Sequence, residues 1–391
     1  MFKQLFIALL VLVTAESTQA QSRSVVLANP EGALIYRVND TTPMIPASTL
    51  KLLTSLAAFT YLGKDYRFVT QAAFEPQSGK LFLKGYGDPL LISEELIRLS
   101  SQIISRYSPG SINDIVIDTS FFSPDIDIPG TGQSQNPYDA TTGAFCANFN
   151  TFHFKWNQEL NQYISAEPQT PFLDTLLKDI QGSGLKQGRI LLSEKLRPLY
   201  PGLLVKKFLE QNGVHVSGKV MTGHFSEASS PELRFASGFS LEQVINKLLT
   251  YSNNFIANQL MLAMGAKQYG APATLDKGVR ALQHYAAQEL HLQHIALAEG
   301  SGISRENRIS AAQMIKLLEA FKPYYRLLKQ ENNDFFKTGT LSDVRTRAGY
   351  LIGRDNRLYP YVIMLNSTSK GYENIYNELK RKVAKLASDK G

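Results

Sequence analysis

The sequence predicts an α+β fold with one antiparallel sheet, a helical lobe and a large, mainly β inserted region. A hairpin pattern occupies residues 25–38, where two apolar segments flank a tetrapeptide of turn formers at 29–32. Strand patterns return near the other end, at residues 335–340, 347–352 and 361–365. The simplest assembly pairs the early hairpin with these late strands in one sheet.

The first twenty residues have the pattern of a signal peptide. Lys3 supplies a positive charge, residues 5–13 are an unbroken apolar run, and Ala20 is a small residue suited to a cleavage site. No later segment reaches the roughly 18 continuous apolar residues of a membrane span. We expect an exported chain, cleaved after Ala20, in the periplasm or another extracytoplasmic cell-wall compartment. An uncleaved anchor is the alternative.

The composition bears mainly on partners. The chain has 391 residues, a formal charge of +7 and a single cysteine, Cys146, so no internal disulfide can form. The charge favours acidic surroundings such as a cell-wall polymer or anionic lipid, although an ordinary basic exported protein has the same balance. Because the basic residues are scattered and no nucleic-acid-binding motif is present, we expect no nucleic-acid partner. Membrane association is expected to be weak or absent.

The chain between the two ends divides into an inserted region and a helical segment. We assign residues 69–225 to one or more inserted domains, with a linker at 226–230, and residues 21–68 and 226–391 to one domain. The elements predicted for the inserted region are strands at 68–74, 81–83 and 112–118, a helix at 93–107 and a loop at 123–143. The helices predicted outside it start at residue 48 and cover 241–250, 254–264, 273–292 and 372–387.

A lysine lies where the first of these helices would bury it. In PMIPASTLKLLTSLAAF, Lys51 lies among leucines, three residues after Ser48. Residues i and i+3 share a helix face, so the Ser48 hydroxyl and the Lys51 amine can meet. Burial lowers the pKa of an ammonium group, and a neutral lysine can take a proton from a nucleophilic serine. The alternative is a serine N-cap followed by a lysine that extends to solvent.

Two further motifs follow in the chain. Ser252 and Asn254 lie between two predicted helices, where a simple helix cap is the alternative. The tetrapeptide Lys337-Thr338-Gly339-Thr340 lies on a predicted strand, so the lysine and glycine share one face and both threonines the other. The glycine leaves room for another backbone to approach. An edge strand with a polar face is the alternative.

The order of the three motifs indicates a function. A helical Ser-x-x-Lys, then Ser-x-Asn, then Lys-Thr-Gly on a late strand is the signature of penicillin-recognising serine enzymes. More narrowly, the chain resembles the penicillin-binding protein 4 group, class C low-molecular-mass D-alanyl-D-alanine carboxypeptidases and endopeptidases. The resemblance rests on IPASTLKLLTSLAAFTYLGKDYRFVT, LFLKGYGDPLL, YSNNF, EGSGISRENRIS and FFKTGTL…RAGYLIG, in that order. It implies a β-lactamase/transpeptidase-like catalytic domain, split by the insertion.

The resemblance also implies the roles of the motif residues. Ser48 would attack the carbonyl of the penultimate D-alanine, with Lys51 as general base. Ser252 would relay the proton to the departing amine, and Asn254 would hold the substrate amide and help to fix Lys51. Peptidoglycan peptides would be the substrates and β-lactam antibiotics covalent inhibitors. No metal or organic cofactor is implied.

The strand motif would bind the substrate. By the same resemblance, Lys337 would add positive charge, while Thr338 and Thr340 would bind the terminal carboxylate beside Gly339. The backbone N–H groups of Ser48 and Thr340 would hold the oxyanion.

Three further residues are implied as contacts for the acidic amino-acid side chain at the third position of a wall peptide. Arg305 would contact its carboxylate, Asp139 its amine and Phe145 its carbon stem. The alternatives are an exposed loop arginine and a turn-forming aspartate. Ser342 stands two residues beyond Thr340, where relatives can have a longer amide.

Two functions compete with a D-Ala-D-Ala carboxypeptidase, for which additional DD-endopeptidase activity is left open. A serine β-lactamase uses the same three motifs, and a penicillin-binding or wall-binding protein could retain the site without turnover. Other chemistries lack support, because no Gly-x-Ser-x-Gly or His-Glu-x-x-His motif is present. Cys146 lies in an apolar stretch and is interpreted as core packing.

Overall fold

The computed structural model describes residues 23–132, 134–225, 232–367 and 371–386. The predicted signal peptide and linker lie outside these ranges. Within them, no helix combines the length and the apolar character needed to cross a bilayer.

The strands in the described part of the chain are numbered in sequence order. They are β1 (Arg23–Ala28), β2 (Leu34–Val38), β3 (Val69–Glu75), β4 (Lys80–Gly85), β5 (Ser111–Ile112), β6 (Ile115–Asp118), β7 (Thr151–Asn157), β8 (Gln162–Ser165), β9 (Gln187–Leu191), β10 (His215–Val216), β11 (Val220–Thr222), β12 (Leu233–Ala236), β13 (Lys329–Glu331), β14 (Asp334–Leu341), β15 (Val344–Ile352) and β16 (Leu358–Asn366).

The α-helices are numbered in the same way. They are α1 (Lys51–Leu62), α2 (Ser93–Tyr107), α3 (Leu177–Ser183), α4 (Tyr200–Gln211), α5 (Leu241–Tyr251), α6 (Asn254–Tyr269), α7 (Leu275–Gln288), α8 (Ala311–Phe321) and α9 (Glu373–Leu386).

The main sheet joins the two ends of the chain, as the sequence predicts. Its order is β13-β14-β15-β16-β1-β2, and Val26 of β1 lies opposite Val362 of β16. The central strands β15 and β16 are buried along nearly their whole length. One face of the sheet packs on the helical lobe and the other on α9, which explains why these strands are apolar on both sides.

The helical lobe packs α1, α5, α6, α7 and α8 around one core. The helix α1 is buried on nearly all sides, so its first residue, Lys51, is removed from solvent. The helix α8 was not predicted from the sequence. A capping box marks its start, with Ser310 and Gln313 each bonding the other's backbone N–H, and this four-residue signature could have identified it.

The inserted region has its own sheet and its own core. The order of its larger sheet is β11-β6-β4-β3-β12, in which β4, β6 and β11 run parallel. Parallel neighbours need crossover connections, which explains why α2 and α4 accompany the strands of a region expected to be mainly β. The strand β12 pairs with β3 beyond the predicted boundary at residue 225. We propose that the inserted unit extends from Val69 to Ala236.

Candidate active site

Ser48 lies in a single 3-10 turn, Ala47–Leu50, which leads directly into α1. We call it the serine turn. The main sheet supports this turn, because the Thr346 hydroxyl of β15 donates to the Pro46 carbonyl at 2.8 Å. Ala47 adopts a φ of 46°, a left-handed conformation that is uncommon for residues other than glycine. The sheet therefore maintains the backbone conformation of the serine turn, in which the Ser48 side chain is half-buried.

The glycine of the Lys-Thr-Gly motif lies against this turn. A Cβ atom at Gly339 would stand 2.6 Å from the Ser48 backbone nitrogen and 2.8 Å from the Ala47 Cβ, and would also collide with the Thr346 hydroxyl. The predicted close approach of another backbone is thus observed, and the neighbour is the backbone of Ser48. This contact places β14 directly beside the serine turn.

Gly339→Ala is expected to lower the rate of acylation by benzylpenicillin about 100-fold or more, the effect of losing one oxyanion donor. The added methyl group has no space, so β14 must move away from the Ser48 N–H. Intact-protein mass spectrometry against time measures the rate. Gly110→Ala is the matched control, because a Cβ there meets nothing within 4 Å. Acylation of Gly339→Ala at the wild-type rate would show that close contact between β14 and the serine turn is not needed.

Lys51 is fully buried and lies at the centre of the site. Its Nζ atom is 2.9 Å from the Ser48 Oγ, 2.7 Å from the Asn254 Oδ1 and 2.8 Å from the Ser301 carbonyl oxygen. The first two contacts join residues that the sequence motifs indicated, whereas the third was not anticipated. A backbone carbonyl can come from any residue type, so the sequence carries no signal for that contact.

The chemistry of these three partners orients the lysine. The Asn254 Oδ1 and the Ser301 carbonyl oxygen can only accept hydrogen bonds. A neutral amine has two N–H groups and one lone pair, so both N–H groups are directed to these acceptors and the lone pair is left facing the Ser48 hydroxyl. The arrangement therefore fits a neutral Lys51 that accepts a proton from Ser48.

Electrostatics favours that neutral form. Burial lowers the Lys51 pKa well below its usual value, and the nearby positive charge of Lys337 lowers it further. The negative charge of Glu299 acts in the opposite direction. Burial also lowers the pKa of Lys337, to about 8. The site therefore holds two lysines whose charged forms are both disfavoured by burial.

The second motif lies at the junction of two helices. Ser252 ends α5 with a left-handed φ of 52°, and the Asn253 side chain caps α6 by accepting from the Ile256 N–H. This junction turns Asn254 toward Lys51 and Ser252 toward the sheet. The Lys337 Nζ donates to the Ser252 Oγ at 2.7 Å, which leaves the serine proton available for donation. The first motif thus meets the second through the contact of Lys51 with Asn254. The second motif meets the third through the contact of Ser252 with Lys337.

The remaining residues of the strand motif follow the predicted alternation. Lys337 and Gly339 face the helical lobe and the serine turn, while Thr338 is half-buried and Thr340 exposed. Just beyond them, Arg305 contacts the β14–β15 turn, with its Nη2 2.6 Å from both the Ser342 Oγ and an Asp343 carboxylate oxygen. The structure therefore brings Arg305 to the end of the motif strand, where a carboxylate already pairs with it.

The two candidates from the inserted region have different environments. Asp139 is 9 % exposed and accepts from the Ser134 hydroxyl, while its Oδ1 is buried without a hydrogen-bond partner. Its loop approaches the 302–305 segment, because a Cβ at Gly130 would lie 2.8 Å from the Ser304 Cα. Phe145 is 3 % exposed and packs in the core of the insertion. The substrate contacts suggested for these two residues stay predictions.

Metal and thiol chemistry find no obvious place in the described residues. Those residues contain no group of three or more His, Cys, Asp or Glu side chains arranged to hold a metal ion. Cys146 is buried in the helical-lobe core, and burial raises the pKa of its thiol to about 12. It is therefore unsuited to act as a thiolate near neutral pH.

This fold and this serine–lysine arrangement correspond to one class of proteins, the serine enzymes that recognise penicillin. The chain belongs to the D-Ala-D-Ala carboxypeptidase 3 (S13) family, whose model matches residues 9–172 and 186–333. Members of this family are serine hydrolases.

Individual relatives agree with that assignment. The chain is 22 % identical to the D-alanyl-D-alanine carboxypeptidase DacB of Haemophilus influenzae, over 89 % of each protein. It is also 22 % identical to the D-alanyl-D-alanine carboxypeptidase of Actinomadura sp. strain R39, over 87 % of this chain and 76 % of that protein.

The fold agrees with known structures. The crystal structure of penicillin binding protein 4 from Haemophilus influenzae superposes with a TM-score of 0.73 at 20 % identity, covering 91 % of this chain and 96 % of that one. A predatory peptidoglycan endopeptidase from Bdellovibrio bacteriovorus superposes with a TM-score of 0.54 at 16 % identity, covering 95 % and 93 %. The predicted transpeptidase-like fold is confirmed.

Proposed function

We propose that this protein is a serine D-Ala-D-Ala carboxypeptidase that acts on peptidoglycan stem peptides through an acyl-enzyme on Ser48. The observation that carries the proposal is the buried Lys51 amine, whose Nζ lies 2.9 Å from the Ser48 Oγ and is held by two further acceptors. Family membership supplies the substrate class. Cleavage of D-alanyl cross-links by the same chemistry would add DD-endopeptidase activity.

Acylation begins with proton transfer from Ser48 to neutral Lys51 as the serine oxygen attacks the carbonyl carbon of the penultimate D-alanine. The tetrahedral oxyanion is proposed to bind the N–H groups of Ser48 and Thr340. This is supported by Gly339, the residue before Thr340, which lies against the Ser48 backbone nitrogen. Ser252 relays this proton from Lys51 to the departing amine, so that D-alanine leaves as the C–N bond breaks and both Lys51 and Ser252 regain their starting forms. Water then attacks the acyl-enzyme and restores the free serine.

Substrate binding is assigned to the strand motif and its neighbours. Lys337 supplies positive charge near the terminal carboxylate, and Thr338 and Thr340 donate hydrogen bonds to it. Arg305, Asp139 and Phe145 are proposed to contact the side chain at the third position of the stem peptide. We place the enzyme in the periplasm or another extracytoplasmic compartment, after removal of the signal peptide, because its proposed substrate is there.

Release of D-alanine from a stem pentapeptide tests the proposal directly. The intact protein should release D-alanine and Ser48→Ala should not, while both keep the same unfolding temperature. If the folded intact protein releases none, the enzyme assignment is wrong and a binding protein without turnover remains. Digestion of purified cross-linked wall fragments then shows whether D-alanyl cross-links are cut as well.

Benzylpenicillin separates a peptidase from a β-lactamase. Both would form a penicilloyl adduct on Ser48, but a lactamase hydrolyses it rapidly whereas a DD-peptidase stays blocked. A solved structure of the Bdellovibrio enzyme is acylated by penicillin G, which supports covalent inhibition of this chain as well. We expect an adduct that persists for minutes or longer, and its rapid loss would support the lactamase instead.

The KM for a stem pentapeptide is expected to rise as the pH passes through about 8, the pKa to which burial lowers Lys337. Below that pH Lys337 is charged and attracts the terminal carboxylate, and above it the charge is lost. Lys337→Arg should move this alkaline limb upward, because a guanidinium remains charged. Steady-state kinetics over the alkaline range measures the limb. If the alkaline rise in KM occurs at the same pH in Lys337→Arg as in the wild type, a group other than Lys337 causes it.

A further inference from the structure

A buried carboxylate, Glu299, lies behind Lys51 and organises the loop of residues 299–307, which we call the Glu299 loop. One oxygen, Oε1, accepts from the backbone N–H groups of Gly302 at 2.6 Å and Ser304 at 3.3 Å and from the Asn307 side chain at 2.8 Å. The other, Oε2, accepts from the Ser301 N–H at 2.6 Å and the Asn258 side chain at 3.1 Å. The side chain is fully buried.

All five of these partners are N–H donors, and this explains why the residue is a carboxylate. An ionised carboxylate only accepts, whereas a glutamine of the same shape would turn an NH₂ group toward some of these donors. A buried charge is unfavourable unless hydrogen bonds compensate for it. Five donors supply that compensation without a cation in direct contact.

The Glu299 loop contacts the three segments that carry the catalytic groups, namely the serine turn, α1 and α6. Its Ser301 carbonyl oxygen accepts from Lys51, and its Gly300 carbonyl accepts from the Thr54 hydroxyl of α1 at 2.5 Å. Asn258, one helical turn after Asn254 on α6, accepts from the Gly300 N–H at 2.8 Å. Gly302 has a left-handed φ of 85°, and a Cβ there would overlap the Ala47 carbonyl oxygen of the serine turn.

We propose that Glu299 is a positioning residue for the proposed reaction: its carboxylate fixes the Glu299 loop so that the Ser301 carbonyl holds the Lys51 amine with its lone pair toward Ser48. Without that carbonyl, one of the two acceptors that orient the amine is lost. The inference rests on the proposed function and adds a residue outside all three motifs.

The same carboxylate acts on Lys51 through its charge. Lys51 faces Lys337 from β14, whose charge lowers its pKa, and Glu299 from the loop, whose charge raises it; α6 contributes the neutral amide of Asn254. Removing the negative charge should therefore let Lys51 lose its proton at a lower pH. Loss of a purely structural hydrogen bond would not produce this shift.

Glu299→Gln tests the proposal, with the rate of acylation by a fluorescent penicillin measured against pH and normalised to the folded fraction. We expect the plateau rate to fall about 100-fold because the amine is misplaced. We expect the acid limb of the pH profile, in which the acylation rate falls as Lys51 becomes protonated, to move to lower pH by about one unit. The KM for a stem pentapeptide should change little, since the buried Glu299 does not touch substrate.

Two further variants separate positioning from stability. Thr54→Val removes another bond to the same loop and no charge, so the acid limb should stay in place with a smaller loss of rate. Glu299→Asp keeps the charge on a shorter stem, so the limb should also stay while part of the rate is restored. If Glu299→Gln does not fold, the aspartate variant decides, with a loss of at least about tenfold expected from displacement of the loop.

Three results would overturn the proposal. The first is a wild-type acylation rate and pH profile in folded Glu299→Gln. The second is a wild-type acylation rate in Glu299→Asp if only that variant folds. The third is failure of both variants to fold, which would mean that the carboxylate serves stability. Absence of D-alanine release and of penicillin acylation in the unmodified protein would instead reject the function on which the proposal rests.

Discussion

Lys51→Met is expected to lower the rate of acylation by benzylpenicillin by about 10⁴-fold, the upper range for removal of a general base, without unfolding the protein. Methionine has a similar length and no proton-accepting nitrogen. It leaves the Asn254 Oδ1 and the Ser301 carbonyl without the donor that they share. This loss is partly offset because a buried amine no longer has to be desolvated. Mass spectrometry of the adduct against time gives the rate.

Lys206→Met is the matched control. Lys206 also donates to a backbone carbonyl, that of Gly218 at 3.0 Å, but it lies on α4 in the inserted region. Its replacement should leave acylation unchanged. If Lys51→Met acylates within tenfold of the wild-type rate, another base activates Ser48 and the proposed mechanism is wrong.

Asp334→Ala is expected to lower the free energy of unfolding of the catalytic domain by about 3–5 kcal/mol, because it leaves a buried cation unpaired. Asp334 is 1 % exposed and accepts from the Arg347 guanidinium at 2.5 Å and from the Tyr361 and Tyr376 hydroxyls, each at 2.8 Å. The guanidinium lies 3.4 Å from the centre of the Phe336 ring. This cluster joins α9 to the outer face of the main sheet, away from Ser48.

The position of the single tryptophan allows a selective measurement. Trp156 lies on β7 in the inserted region, so its fluorescence follows that region, while loss of penicillin acylation in denaturant follows the catalytic domain. Asp334→Ala should move the second midpoint more than the first. The double variant Asp334→Ala/Arg347→Met should recover part of the loss, since no unpaired charge remains. Equal midpoints for Asp334→Ala and the wild type would contradict the assignment.

Patterns local in the sequence predicted the site better than they predicted its supports. The spacing of Ser48 and Lys51 on a helical turn was enough to expect their contact, and Gly339 on a strand was enough to expect the close approach of another backbone. The contact between Lys337 and Ser252 was not anticipated. Glu299 begins one of the segments that carry the family resemblance, but no spacing pattern indicated its role. Its partners are mostly backbone N–H groups, which every residue type supplies, so the role becomes visible only in three dimensions.

The inserted region shows a different limit. Its strands were recognised near β3, β4 and β6, but short apolar runs do not reveal whether their neighbours are parallel. The strand β12 pairs with β3 across a separation of more than 150 residues, so no local pattern could assign it to the insertion. Register between distant segments depends on tertiary packing, which a single sequence does not display.

The pairing of β1 with β16 makes the sheet beneath the serine turn depend on a segment far along the chain. Val362 is translated more than 330 residues after its partner Val26. Until then the sheet beneath the serine turn lacks β16, whose Asn366 side chain accepts from the Ile45 N–H at 2.7 Å. A polypeptide truncated before β16 is therefore expected to lack this support for the serine turn and to show no acylation by benzylpenicillin.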